Sequence, residues 1–467
     1  METSLSKNGY KIKKKNLEPR KIKEIKDELN VKPFTFQKNQ KIDNKFQVFL
    51  ESPKKLYLPR FYGVEKFGLP TENEIEEGDN IKLKFNGDLR EEQKPIEKIY
   101  LENANKNGGG IISIRCGGGK TVLALHILSQ LKKKTIVVVH KDFLMTQWKD
   151  RILEFLPDAR IGKIQQNTID IEDKDIVLSM VQSLSMKEYP EDTFQSFGLA
   201  IFDECHHLGA EVFHKSMTKV ASKYMLGLSA TPKRKDGLSK VFEWYIGPIV
   251  YLQKKKNEDY AEVQLIDCNF NDIKYNKEEL NFRKEPCMPK MINNICNYLP
   301  RTNLIIDLIK KYHKEGRNIL VLSDRRGHLD LIYNLLNEYS RGFYVGGMKP
   351  HELRESQEKE ILLATFSMAS EGMDIPKLDT VILSSPKSDV EQSVGRIFRK
   401  KACDRKFHPL IIDLQDDFSM FKNQCNKRLQ LYHKLSFTIF HNNNKMIKKS
   451  RKKKNEIKNF ILNSDDE

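Results

Sequence analysis

Between residues 110 and 228, short apolar runs alternate with amphipathic stretches. Gly110-Ile-Ile-Ser-Ile114, Thr135-Ile-Val-Val-Val139, Ile176-Val-Leu178, Leu199-Ala-Ile-Phe202 and Met225-Leu-Gly-Leu228 are runs of strand length, most of them rich in β-branched residues. Thr121–Leu131 and Phe143–Phe155 space their apolar residues as helices do. Strands that are apolar on both faces predict a parallel sheet covered by helices on both sides. The charged stretch Gln253-Lys-Lys-Lys-Asn-Glu-Asp259 interrupts this pattern, which then restarts. Helices over Leu304–His313 and His328–Tyr339 and strands over Ile319–Leu322, Ile361–Ala364, Thr380–Leu383 and Leu410–Asp413 predict a second α/β layer set. The expected fold class is α/β, with two tandem domains.

The ends differ from this body. Residues 1–45 carry many Lys, Glu, Asn and Gln and few apolar positions, which predicts a largely disordered or marginally helical segment. Leu56-Tyr-Leu-Pro-Arg-Phe-Tyr-Gly63 and Ile81-Lys-Leu-Lys-Phe85 have a more structured pattern. Lys445–Lys458 is intensely basic and reads as a nonspecific phosphate contact, a nuclear-localisation signal or a solvated tail. The expected division is a basic N-terminal region with a small accessory module over 1–84, domains over 85–252 and 253–438, and a basic, disordered tail over 439–467. Met288, Met291 and Ile292–Leu299 read as a helix buried in the second domain or exposed to a partner. Phe418, Phe421 and Leu429–Leu435 read as a closing helix.

Composition narrows the class. The 467 residues hold 81 Lys and Arg against 64 acids, a net charge of +17 that favours polyanionic partners, although lysine-rich solvated faces produce the same excess. The seven cysteines form no Cys-x-x-Cys pair, which predicts reduced thiols in a cytosolic or nuclear compartment. No stretch approaches the ~20 apolar residues of a membrane span, and the N-terminus lacks a secretory pattern. A soluble, intracellular protein with no membrane partner is expected.

Four segments carry candidate chemistry. Cys116-Gly117-Gly118-Gly119-Lys120-Thr121 joins a strand to a helix, so bare backbone amides and a helix N-terminus can receive phosphate. Lys120 would reach the β and γ phosphates of ATP and Thr121 would ligate Mg²⁺. Ile114 stands where the longer consensus has its first glycine, and a plain glycine turn is the competing reading. Asp203-Glu204 follows a strand, where Asp203 can hold the metal and Glu204 can polarise the attacking water. His206 and His207 lack the further Cys or His residues that would complete a tetrahedral zinc site. Ser229-Ala-Thr231 follows the next strand. In Gln392-Ser-Val-Gly-Arg396-Ile-Phe-Arg399, either arginine can stabilise charge on a transferring phosphoryl group, an effect of about 10³ to 10⁵ in rate. An amphipathic helix with paired arginines is the alternative.

In this order the segments resemble superfamily 2 helicases, specifically the DExH branch that includes XPB-like transcription helicases and the poxvirus transcript-release helicase. The resemblance covers roughly residues 56–435, and its more specific signs are Leu56–Gly63, Leu89-Arg-Glu-Glu-Gln93 and Ser370-Glu-Gly-Met-Asp-Ile-Pro376 ahead of Gln392. It implies two RecA-like domains, ATP and Mg²⁺ as cofactors, and nucleic acid as partner, with DNA favoured over RNA. It also implies a role in viral transcription, beside RNA polymerase or transcription factors. By matching position, Arg90 and Gln93 look like the adenine-side element, and Gly372 and Asp374 like nucleotide contacts from the second domain. Ser229 and Thr231 look like the relay of nucleotide state, and His206 with Gln392 like the bridge between domains. His140, Lys141, Gln147, Ser179, Gln182, Ser323 and Arg325 fall where such enzymes line the nucleic-acid track. Cys205-His206 in place of Ala-Asp disfavours a DEAD-box assignment, and Gln392-Ser393 lacks the Gln-Arg start usual in DEAH-box enzymes. An RNA helicase, and an ATPase clamp that does not unwind, remain alternative readings.

Overall fold

The computed structural model describes residues 2–33, 45–115, 117–205, 210–230, 237–253, 260–371, 373–400, 402–441 and 445–446. The chain divides into two compact units, Met1–Lys255 and Lys256–Glu467. Each is built on an eight-stranded, mostly parallel sheet of the RecA-like type.

In the first unit the strand order is Thr168–Asp170, Ile161–Gln165, Ile176–Met180, Thr135–Val139, Leu199–Phe202, Tyr224–Ser229, Gly109–Ser113, Ile249–Leu252. Every neighbouring pair is parallel except the hairpin Ile161–Gln165 with Thr168–Asp170. Alternate residues of the central strands feed two cores. Ile112, Val137, Val139, Ile201 and Leu226 pack on Leu123, Leu125 and Leu128 of helix Lys120–Leu131 and on Trp148 and Ile152 of helix Asp142–Phe155. Ile111, Ile136, Val138, Ala200 and Phe202 pack on Val181, Leu184, Phe242 and Ile246 on the opposite face. Each fully buried aliphatic side chain contributes ~1.5–3 kcal/mol, which is why the runs are apolar on both faces. Because the strands are parallel, their following loops share one edge of the sheet.

The second unit repeats the plan in the order Arg341–Tyr344, Ile361–Thr365, Ile319–Ser323, Thr380–Leu383, Leu410–Gln415, Glu262–Asp267, Thr438–His441, Lys445–Met446. Helix Met288–Asn297 buries Met291, Ile292, Ile295 and Cys296, and helix Ser419–Lys434 buries Phe421, Cys425, Arg428 and Tyr432. Two ion pairs lie inside this unit: Arg301 Nε meets Asp416 Oδ1 at 2.8 Å and Arg428 meets Asp413 at 2.7 Å. Fork-shaped pairing and further hydrogen bonds offset the desolvation such charges suffer.

Residues 2–33 form regular structure, contrary to the expectation of a largely disordered segment over residues 1–45. Strands Thr3–Ser6 and Gly9–Lys13 join Lys55–Leu58, Leu50–Glu51 and Glu72–Asn73 in a five-stranded sheet, and Pro19–Glu28 is a helix. Tyr10, Ile12, Leu56, Leu58 and Tyr62 share a core with Leu238, Val241 and Trp244, supplied by and just before helix Ser239–Ile246. The Tyr62 and Trp244 rings meet edge-on at 5.4 Å. Arg60 fixes the same junction: its guanidinium donates to the carbonyls of Ser222, Lys223 and Asn107. Among the described residues, no helix is long and apolar enough to cross a membrane.

Candidate functional site

The glycine loop leaves strand Gly109–Ser113 and enters helix Lys120–Leu131. Gly119 has φ +74°, a conformation that favours glycine, and it brings the loop close to Gln93. A Cβ on Gly118 would lie 2.3 Å from Ile114 Cγ2, so the absent side chain at 118 accommodates the isoleucine that departs from the longer consensus. Gln93 is 2% exposed. Its amide nitrogen donates to the carbonyls of Gly118 and Gly119, both at 3.1 Å, and its amide oxygen accepts from the Arg90 N–H at 3.1 Å. Exposed Arg90 lies 3.4 Å from the Gly117 carbonyl. The proposed adenine-side residues thus lie against the glycine loop, and Gln93 braces it.

Asp203 and Glu204 follow strand Leu199–Phe202 at the same edge of the sheet. Lys120 Nζ is 2.6 Å from Glu204 Oε1, an ion pair in which both side chains are largely shielded. Glu204 Oε2 is 3.4 Å from the amide of Ala230, so one carboxylate touches both the glycine-loop lysine and the Ser229-Ala230 segment. Glu204 holds φ +46°, a left-handed conformation that costs ~1–3 kcal/mol and is found at over-determined, functional positions. Asp203 is buried, and its Oδ1 accepts from the Glu204 amide at 3.0 Å. Its Oδ2 accepts from the indole Nε1–H of Trp148 at 2.8 Å. Burial foremost, then the neighbouring Glu204 carboxylate, pushes the Asp203 carboxyl upward, against the pull of Lys120 and Trp148. Burial also pushes the Cys205 thiol up to about 12, which keeps it protonated and inert. Trp148 is the functional neighbour that sequence reasoning missed. Its bond spans residues 55 apart in the chain, and no motif announces it.

Other candidates gather at the same edge. Strand Thr135–Val139 lies beside Ile176–Met180, and Gln182 donates to the His140 carbonyl at 3.0 Å. Lys141 caps the start of helix Asp142–Phe155 and Gln147 lies in its second turn; both are half-buried. Ser179, on strand Ile176–Met180, is fully buried, so its side chain is not exposed at this edge. In the second unit Ser323 is likewise buried; its hydroxyl lies 3.1 Å from His328 Nδ1 and accepts from the Arg325 amide at 3.2 Å. The Arg325 guanidinium reaches the carbonyl of Pro289.

Gln392 lies on the short helix Glu391–Val394, and Gly395–Phe398 continues as a 3₁₀ turn in place of one continuous amphipathic helix. Arg396 is buried and donates to the carbonyls of Ala369, Ser370 and Met373, at 2.7 Å for Met373. Arg399 pairs with the half-exposed Asp374 at 3.4 Å. Cys116, His206, Thr231 and Gly372 lie outside the described residues.

Comparison with known proteins bears on the whole chain. Residues 86–234 match the family described as type III restriction enzyme, res subunit, and residues 300–401 match the helicase conserved C-terminal domain. Protein L396 of Acanthamoeba polyphaga mimivirus, named as an ATP-dependent RNA helicase, is 36% identical over 459 residues, covering 94% of this chain and 86% of its own. Protein QP509L of African swine fever virus, also named as an RNA helicase, is 24% identical and covers 75% and 73%. XPB2 of Sulfurisphaera tokodaii, named a DNA 3'-5' translocase, is 36% identical and covers 73% and 87%. With the glycine loop, the Asp-Glu pair and both sheets in place, the chain belongs to the superfamily 2 helicases of the branch shared by large DNA viruses and XPB-like translocases, enzymes that hydrolyse ATP and act on nucleic acid.

Proposed function

We propose that the protein is an ATP-dependent DNA translocase or helicase working in viral transcription, in transcript release or in elongation and termination, alongside RNA polymerase or its factors. The observation that carries the catalytic part is the 2.6 Å approach of Lys120 to Glu204, which gathers the phosphate-binding and water-polarising groups at one sheet edge. The donor set also fits a divalent cation: the adjacent Asp203 and Glu204 carboxylates outnumber the single Lys120 ammonium in a poorly solvated corner. Thr121 and Asp203 would hold Mg²⁺, which would neutralise charge on the β and γ phosphates of ATP. Gly117, Gly118 and Gly119 offer backbone amides to the phosphates. Arg90 borders the adenine, with Gln93 acting through the loop it braces.

Glu204 orients the attacking water, and the contact of its other oxygen with Ala230 passes the nucleotide state to Ser229 and Thr231. Arg399 is the proposed finger, while Arg396, expected as a second one, spends its guanidinium on the Ala369, Ser370 and Met373 carbonyls and so orders the turn that carries Arg399. Gly372 and Asp374 are further nucleotide contacts, and His206 with Gln392 the coupling pair. His140, Lys141, Gln147, Ser179, Gln182, Ser323 and Arg325 form or support the nucleic-acid track. DNA is favoured by the translocase named among the relatives, while the net charge of +17 suits either nucleic acid. An RNA substrate is the second reading, favoured by the names of the viral relatives.

Steady-state ATPase rates with single-stranded DNA, duplex DNA and RNA, followed by strand and triplex displacement, test this. Stimulation by RNA alone overturns the DNA assignment. ATPase without displacement favours a clamp. The Glu204→Gln variant should bind ATP normally and lose turnover, and retained turnover removes the role given to Glu204.

A further inference from the structure

Helix Asp142–Phe155 does two things at once. It starts directly after His140 and Lys141 and carries Gln147, all three assigned above to the nucleic-acid track. Its next residue, Trp148, points inward and is 1% exposed. There the indole N–H meets Asp203 Oδ2 at 2.8 Å, on the carboxylate assigned to the metal. A buried indole N–H has one proton to give and no capacity to accept, so its partner fixes it and it fixes its partner.

The helix is tied at its start to both neighbouring segments. Gln182 donates to the His140 carbonyl at 3.0 Å, and Gln165 donates to Asp142 Oδ1 at 2.6 Å. Leu144, Met145, Trp148 and Ile152 bury the inward face in the close-packed core. Such a segment transmits a displacement more readily than it absorbs one. A nucleic-acid phosphate bound at Lys141 or Gln147 therefore acts on the same rigid element that aims Asp203.

We propose that Trp148 is a positioning residue through which an occupied nucleic-acid track sets the orientation of the Asp203 carboxylate, so that nucleic acid stimulates hydrolysis by way of this one hydrogen bond. The proposal rests on the track assignment made under the proposed function. A hydrogen bond to a charged group weakens steeply when its angle or length is disturbed, so movement of the helix by a fraction of an ångström is enough.

The chain holds two tryptophans, so Trp244→Phe leaves Trp148 as sole emitter. With this protein, saturating oligonucleotide added without nucleotide or Mg²⁺ should shift or quench the emission, and Lys141→Ala with Gln147→Ala should abolish that response. Trp148→Phe keeps a ring and deletes the N–H. It should lower the ratio of stimulated to basal ATPase about 10-fold, while the oligonucleotide Kd stays within about 2-fold and the circular dichroism is unchanged. Silent emission from a protein whose ATPase is still stimulated overturns the relay and leaves the helicase reading standing, as does a wild-type stimulation ratio in Trp148→Phe. Absence of stimulation by DNA and RNA alike sinks the functional reading and the relay with it.

Discussion

Replacing Gln93 with alanine tests whether the glycine loop is held from outside. The side chain is 2% exposed and makes three hydrogen bonds near 3.1 Å, two of them to carbonyls of the loop itself. Each is worth ~1 kcal/mol net, and alanine leaves the Gly118 and Gly119 carbonyls to water or to nothing. Losing the two loop contacts should cost about 2 kcal/mol of loop order, which appears as a roughly 30-fold rise in the KM for ATP. The lost bonds go to the loop, so GTP should suffer by a similar factor. Initial-rate ATPase and GTPase measurements, with calorimetric binding of a nonhydrolysable analogue, read both numbers. A KM unchanged for both nucleotides refutes the bracing argument. A loss confined to ATP refutes it equally, and would make Gln93 a reader of the base alone.

Acid should weaken the second unit through His328. Burial, with help from Arg301, lowers its imidazole to about 3, so the folded state refuses a proton that the unfolded chain accepts below ~6.5. Stability is full above pH 6.5 and drains as pH falls toward 3, by about 2 kcal/mol at pH 5; His328→Asn should flatten this limb in urea titrations at pH 7 and 5, and parallel limbs contradict it. Arg399→Ala should bind ATP but slow hydrolysis about 10³-fold, with little change in melting temperature because its partner Asp374 is half-exposed. Arg396→Lys should lower the melting temperature, since a point ammonium cannot serve three carbonyls fixed for a planar fork and loses ~1–3 kcal/mol of contacts. An unchanged melting curve rejects that reading of the buried arginine.

Much of the body was legible because its signal is local. A β-branched run such as Thr135–Val139 is a strand whichever side it packs on, and a glycine loop between strand and helix carries its own geometry. Residues 1–33 misled because lysines dominate the composition, yet Lys11-Ile12-Lys13 alternates with the period of a half-buried strand, and Ile12 is fully buried. What completes that core, Val241 and Trp244, lies more than two hundred residues later and leaves no trace beside it. The site divides in the same way. Lys120, Asp203 and Glu204 declare themselves by motif, whereas the brace at Gln93 and the indole on Asp203 depend on contacts that only the folded sheet creates.

The late arrival of Trp244 bears on how the protein is made. Tyr62 is synthesised roughly 180 residues before the ring it packs against, an interval of about 9 to 36 s at ~5–20 residues per second on the ribosome. Throughout that interval the core around Leu56, Leu58 and Tyr62 lacks the part supplied by Leu238, Val241 and Trp244. The earliest-made part of the chain is therefore among the last to be sealed, which gives a holdase chaperone a window on the growing polypeptide and makes early truncation products prone to aggregate.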